Sequence, residues 1–199
     1  MASKDRIQRT KEETRQKILT AALHIVKEEG WQSLSLRKIA DVIEYTAPII
    51  YEYFANKEAI LLELTRQGYA LLSDKLRKAK EAHDSPAQQI EAMWMTYWNF
   101  AFAEKEYYQL MFGVEMICCE AKKSCPESEE PYDLISESIE RLMAAKNPSE
   151  DEICRRYYTY WSIVHGLISI NIVRKGATDE INRQILTDAI SGITLAISS

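Results

Sequence analysis

Residues 43–54 read IEYTAPIIYEYF, and the fold turns on whether this run is a short buried strand cut by Pro48 or the opening of a helix. The helical reading accounts for every residue in it. Thr46 is an N-cap candidate, and Pro48 then falls in the first turn, where its missing N–H costs nothing. Ile50, Tyr53 and Phe54 share the inward face of the short helix that follows. Immediately upstream, Ser35 can cap another short helix with Leu36, Ile39, Ala40 and Ile43 on one face, leaving Glu44 and Tyr45 as a tight connection.

Working outward, the pattern stays helical in both directions. Thr10 with Glu13 has the form of a capping box, and Ile18, Leu19, Ala22, Ile25 and Val26 recur at helical spacing up to Gly30, a natural stop. Asn56 caps a long fourth helix with Leu61, Leu64, Leu72 and Leu76 on one stripe and Gly68 as a weak point, ending near His83. Ser85-Pro86 opens a fifth helix, KEYYQLMFG suggests a short sixth, and Cys118 to Pro131 reads as a loop. Tyr132 to Ala145 is helical again, and Ser149 with Glu152 caps a long helix running to Gly176. Thr178 with Asp179 and Glu180 begins the last, in which Ile181, Ile185, Ile190, Ile193 and Ile197 recur. The expectation is an all-α protein of about nine helices, with a small three-helix head at 1–56 and a larger helical body at 57–199 that share helix four.

The totals agree. The chain has 199 residues, 46% of them hydrophobic, and only six glycines and five prolines, too few turn formers for an all-β fold. No apolar run reaches the roughly 18 residues of a membrane span, and the start, MASKDRIQRTKEETRQ, lacks a signal-peptide core, so a cytoplasmic protein is expected. Cys118, Cys119, Cys125 and Cys154 form neither a regular disulfide framework nor a zinc-type spacing, and no metal or cofactor is anticipated. A Glu-x-x-His pair, a phosphate-binding glycine loop and a nucleophile elbow are all missing, which argues against an enzyme.

Charge is unevenly placed. The net charge is -5, yet residues 1–38 hold nine Lys and Arg against five Asp and Glu, so a basic end precedes an acidic body, as expected if one end meets a polyanion. Two short helices joined by a tight turn and braced by a third form the layout of a helix-turn-helix. Lys11, Arg15, Ser35, Arg37, Thr46, Tyr51 and Lys57 fall at helix N-termini or on polar faces, where they can hold phosphate oxygens.

The run TRQKILTAALHIVKEEGWQSLSLRKIADVIEYTAPIIYEYFANKEAILLEL resembles the DNA-binding domain of the TetR family of transcriptional regulators. The likeness rests on the order of several motifs: the AA of helix one, the Gly after it, the Ser opening helix two, the IA pair, then Y-x-Y-F and N-K-E. It implies that Tyr51 and Lys57 contact phosphates, while Thr46, Ala47, Pro48 and Ile49 meet the major groove, with Tyr45 adding a polar contact. Glu44 stands where the family commonly has glycine, so a positive φ there would carry strain. A helical adaptor that no longer reads DNA is the alternative this departure leaves open.

The body concentrates aromatic mass around Trp94, Tyr97, Trp98, Tyr108, Met111 and Phe112, and again at Tyr158, Trp161 and His165. These are the expected lining of an apolar pocket for a small-molecule effector. Trp161, His165 and Gly166 also resemble a TetR C-terminal type marked by Trp, His and Gly, and Gly166 suits a close helix approach. By the resemblance the last two helices form a homodimer interface, with Val164, Leu167, Ile168, Ile185, Ile190 and Ile193 available for packing. The two heads would then reach half-sites of a double-stranded DNA operator, as a repressor released by its effector.

Overall fold

The computed structural model describes residues 2–113, 125–174 and 176–198. Among these the chain forms nine α-helices and no strand. Helix α1 spans Ala2–Glu29 and so begins well before its expected capping box. Thr10 lies inside it, its hydroxyl donating back to the Arg6 carbonyl at 3.0 Å, because nothing in residues 2–9 interrupts the helix. Gly30 ends it at φ 82, a conformation glycine adopts without penalty.

Helices α2 (Leu36–Val42) and α3 (Ala47–Tyr53) follow. Ser35 caps α2, its side chain accepting from the Lys38 amide at 3.2 Å. Thr46 occupies the N-cap position of α3 but its side chain makes no capping bond. Between the two helices Glu44 sits at φ 58. The Tyr45 amide donates to the Ala40 carbonyl at 2.9 Å and the Glu44 amide to the Asp41 carbonyl at 3.4 Å, a Schellman closure with glutamate at the position that favours glycine. Tyr45 packs partly into the head core, the apolar contact that accompanies this closure.

Helix α4 (Lys57–Glu81) is capped by Asn56, which accepts from the Ala59 amide at 2.8 Å. Helices α5 (Pro86–Ala103), α6 (Lys105–Phe112), α7 (Glu130–Leu142), α8 (Glu150–Val173) and α9 (Asp179–Ser198) build the body. Part of the expected loop is helical: Pro126–Ser128 is a 3₁₀ turn and Pro131 lies in the first turn of α7, where proline is tolerated. Cys118 and Cys119 lie outside the described residues. Helix α8 stops at Val173 rather than Gly176. Among the described residues no helix is long and apolar enough to cross a membrane.

Two apolar clusters hold the molecule. The head cluster joins Ile18, Leu19, Ala22, Ile39, Ile50 and Phe54 to Ile60 and Leu64 of α4 and Leu110 of α6. The body cluster runs from Leu72 and Leu76 through Trp94 and Phe100 to Ile139, Tyr160, Val164, Ile168 and Ile190. Tyr107 packs against both. Helix α7 is fastened to α5 by Gln89, whose side-chain oxygen accepts from Ser138 Oγ at 3.0 Å and Arg141 Nη1 at 3.1 Å, while its nitrogen donates to the His83 carbonyl at 2.7 Å.

Candidate functional site

On the head, α3 presents Thr46 and Pro48 outward with Ala47 and Ile49 half-buried beside them, and Tyr51 is 58% exposed. Lys11, Ser35 and Arg37 are likewise exposed. Ser35 still has its own hydroxyl hydrogen to offer, since its capping bond uses only a lone pair. Thr46, with no capping bond, offers both donor and acceptor. Lys57 donates to the Trp31 carbonyl at 3.0 Å, which fixes its ammonium at the α4 N-terminus and leaves two N–H donors for a phosphate.

Arg15, expected at a phosphate, is engaged within the head. Its guanidinium bonds Glu63 at 2.9 Å and lies 4.9 Å over the Phe54 ring, clamping α1 to α4 and to the end of α3. The hydrogen bond from Arg15 holds the Glu63 carboxyl below its usual range. An arginine committed to a carboxylate and a ring is a brace for the head.

In the body, a cavity of about 740 Å3 opens among α4, α5, α6, α7 and α8. Six of the nine expected effector contacts line it: Tyr97, Met111, Phe112, Tyr158, Trp161 and His165. The other three lie elsewhere. Trp94 is fully buried and stacked on Tyr160 at 5.9 Å, and Trp98 pairs with Phe102 of its own helix at 4.7 Å. Tyr108 stands just behind the wall, its hydroxyl 2.6 Å from His165 Nδ1.

That contact belongs to a small polar cluster. The Trp161 indole N–H, which can only donate, reaches the Tyr97 oxygen at 3.2 Å. Tyr97 lies 3.3 Å from the same His165 Nδ1, so two phenols converge on one ring nitrogen. His165 stacks on Trp161 at 4.5 Å and 18°, and burial holds its imidazole below the ordinary value. The histidine is a neutral N–H donor fixed in orientation.

Residues not expected from the sequence add to the lining, among them Tyr69 and Leu72 from α4, Glu129 before α7, Tyr132, Asp133 and Ile135 from α7, and Cys154 and Tyr157 from α8. Tyr157 lies within the same aromatic run as Tyr158 and Trp161, a signal that could have included it. A second hollow, of about 700 Å3, lies on the open outer surface of the head between α1 and the end of α2; it lacks the aromatic walls of the body cavity.

Residues 18–64 match the family described as bacterial regulatory proteins, tetR family, and residues 90–189, about half of the chain, match the tetracyclin repressor-like C-terminal domain. The chain belongs to the TetR family. As a TetR-family member it is a transcriptional regulator with a helix-turn-helix DNA-binding head. It is 24% identical over 169 residues, 84% of the chain and 75% of the relative, to the HTH-type transcriptional repressor KstR of Mycobacterium tuberculosis. A solved structure from Rhodococcus sp. RHA1 shares the fold at TM-score 0.80 and 21% identity, covering 93% of this chain and 95% of the other. The Bacillus subtilis regulator FadR, solved in complex with stearoyl-CoA, shares it at TM-score 0.72 and 14% identity, covering 89% and 98%.

The last two helices of this TetR-family chain leave a different surface open from the one expected. Val164, Ile168 and Ile190 are sealed in the chain's own core, at 0%, 0% and 1% exposure. Leu167 and Ile193 are half-buried, and Ile185 is exposed. The aliphatic groups facing outward are Ile163, Ile170 and Val173 on α8 with Ile181, Ile185 and Leu195 on α9. Gly166 does not meet another helix of this chain: a Cβ there would find nothing within 4 Å, and the same holds for Gly192.

Proposed function

We propose that this protein is a ligand-responsive repressor that binds a palindromic operator as a homodimer and releases it when a small, largely apolar or aromatic effector fills the body cavity. The head at 1–56 reads DNA, the body at 57–199 binds effector and dimerises, and the protein works in the cytoplasm by binding and not by catalysis. Tyr51, Lys57, Ser35, Lys11 and Arg37 hold phosphates; Thr46, Pro48 and Ile49 meet bases, the apolar pair suiting thymine methyls.

The observation that carries this reading is the placement of α6. Leu110 belongs to the head core, Met111 and Phe112 wall the cavity, and Tyr107 touches both clusters. A ligand that presses on Met111 and Phe112 therefore acts on a helix embedded in the DNA-binding unit, which supplies the differential contact that coupling between two sites requires. The relative KstR, named a repressor and matched across most of this chain, supports repression as the sign. The open apolar faces of α8 and α9 support the dimer, since two heads must be held about 34–36 Å apart to reach successive major grooves.

Selection of bound duplexes from random DNA tests the reading. The expected product is a site of two inverted half-sites about one helical turn apart, with affinity falling steeply as salt rises. Binding without sequence preference, or operator affinity unchanged while a cavity ligand is saturating, overturns it.

A further inference from the structure

The cavity carries a charge pattern as well as a shape. Tyr132, Tyr157, Tyr158 and Trp161 form a continuous run of rings: Tyr132 meets Tyr157 at 4.6 Å and 65°, Tyr157 meets Tyr158 at 5.5 Å and 89°, and Tyr158 meets Trp161 at 6.0 Å and 89°. Rings set near right angles enclose a space with both faces and edges, and aromatic faces attract cations. Burial pushes the Tyr69 phenol up to about 12 and the Tyr157 phenol higher still, so these walls stay neutral. His165 is neutral for the opposite reason, as its charged form is disfavoured.

The formal charges on the described lining are two carboxylates, Glu129 and Asp133, both exposed at the mouth; no Lys or Arg is among those residues. Their neighbour Glu130 is neutralised by Arg77. Glu129 and Asp133 make no ion pair among the described residues. The N-terminus of α7 would by itself favour an anion, but Glu129 at its N-cap and Asp133 in its first turn oppose that preference.

Resting on the reading of this cavity as the effector site, we infer that its occupant is an organic cation: an ammonium group on an aromatic or aliphatic body, seated against Tyr132, Tyr157, Tyr158 and Trp161 with Glu129 and Asp133 at the entrance. The rings supply the contact that selects for positive charge, and the carboxylates draw the cation in and hold it.

The test is calorimetric titration of the full-length protein with (naphthylmethyl)trimethylammonium, its uncharged neopentyl isostere, naphthylacetate and decanoyl-CoA, each repeated with operator DNA bound. The ammonium is expected to bind at least about tenfold tighter than its isostere, and Glu129→Gln with Asp133→Asn, both exposed positions, should remove much of that advantage. Tyr158→Leu, also at an exposed position, should lower ammonium affinity more than isostere affinity. A preference for the carboxylate or the thioester, or no binding of the ammonium, overturns the assignment. If such an anionic ligand nevertheless releases DNA, ligand control stands and only the cation is wrong. If the ammonium binds as described but DNA affinity does not move, the cation assignment is kept and ligand control falls.

Discussion

Glu44 holds a left-handed backbone at φ 58 in the turn that aims α3 at DNA, and a side chain bearing a Cβ is strained there. The two hydrogen bonds that close the turn come from backbone amides and do not need the carboxylate. Glu44→Gly is therefore expected to raise stability by about 0.5–1 kcal/mol in urea denaturation, the relieved strain exceeding the added chain entropy. An unchanged or lower midpoint would show that the strain is already relaxed. His165 offers a second residue-scale outcome. Its folded-state pKa lies below the ordinary 6.5, so the unfolded chain takes up a proton first as pH falls. Stability from this group is present above 6.5 and lost as pH drops through the folded value. Thermal midpoints should fall between about pH 7 and pH 5, and His165→Gln should narrow that difference.

Among the elements, α6 contributes to both apolar clusters, and its Met111 and Tyr107 rest on Gly68 of α4. A Cβ at position 68 would lie 2.7 Å from Met111 Sδ and 3.1 Å from Tyr107 Cδ1. Alanine gains about 1 kcal/mol of helix propensity but pushes the very side chains that link cavity and head. Gly68→Ala should leave stability within about 1 kcal/mol of the parent while shifting the effector concentration that releases operator in a shift assay; unchanged release would take Gly68 out of the coupling. Gly68, expected as a weak point of the helix, is thus a close-packing position. The helices themselves were legible because periodicity and caps are local: Ser35, Asn56 and Ser149 all cap as their positions suggest. The tie of Arg15 to Glu63 was not legible, because an arginine facing a carboxylate and one facing a phosphate look alike until the fold brings residue 63 beside residue 15. Tyr132 and Asp133 were missed for a related reason, since only the docking of α7 on α5 turns an ordinary amphipathic helix into a cavity wall.

At the scale of the molecule, the isoleucines of α8 and α9 separate into those the chain buries and those it leaves exposed. Spacing alone marks an apolar stripe without saying which neighbour covers it, which is why Ile190 and Ile185 looked equivalent. Ile170, 55% exposed, and Ile185, 42% exposed, belong to the outward face, so Ile170→Glu with Ile185→Glu should give a folded monomer by ultracentrifugation with markedly weaker operator binding. A dimer that persists would place the interface elsewhere.

The sharing of Ile60, Leu64 and Leu110 with the head core also limits how this protein can be recombined with others. A chimaera spliced at residue 56 would give the borrowed body a reading head that lacks three of its own core side chains. Exchange of DNA specificity between such regulators has to carry the α6 contact across the joint, or redesign it.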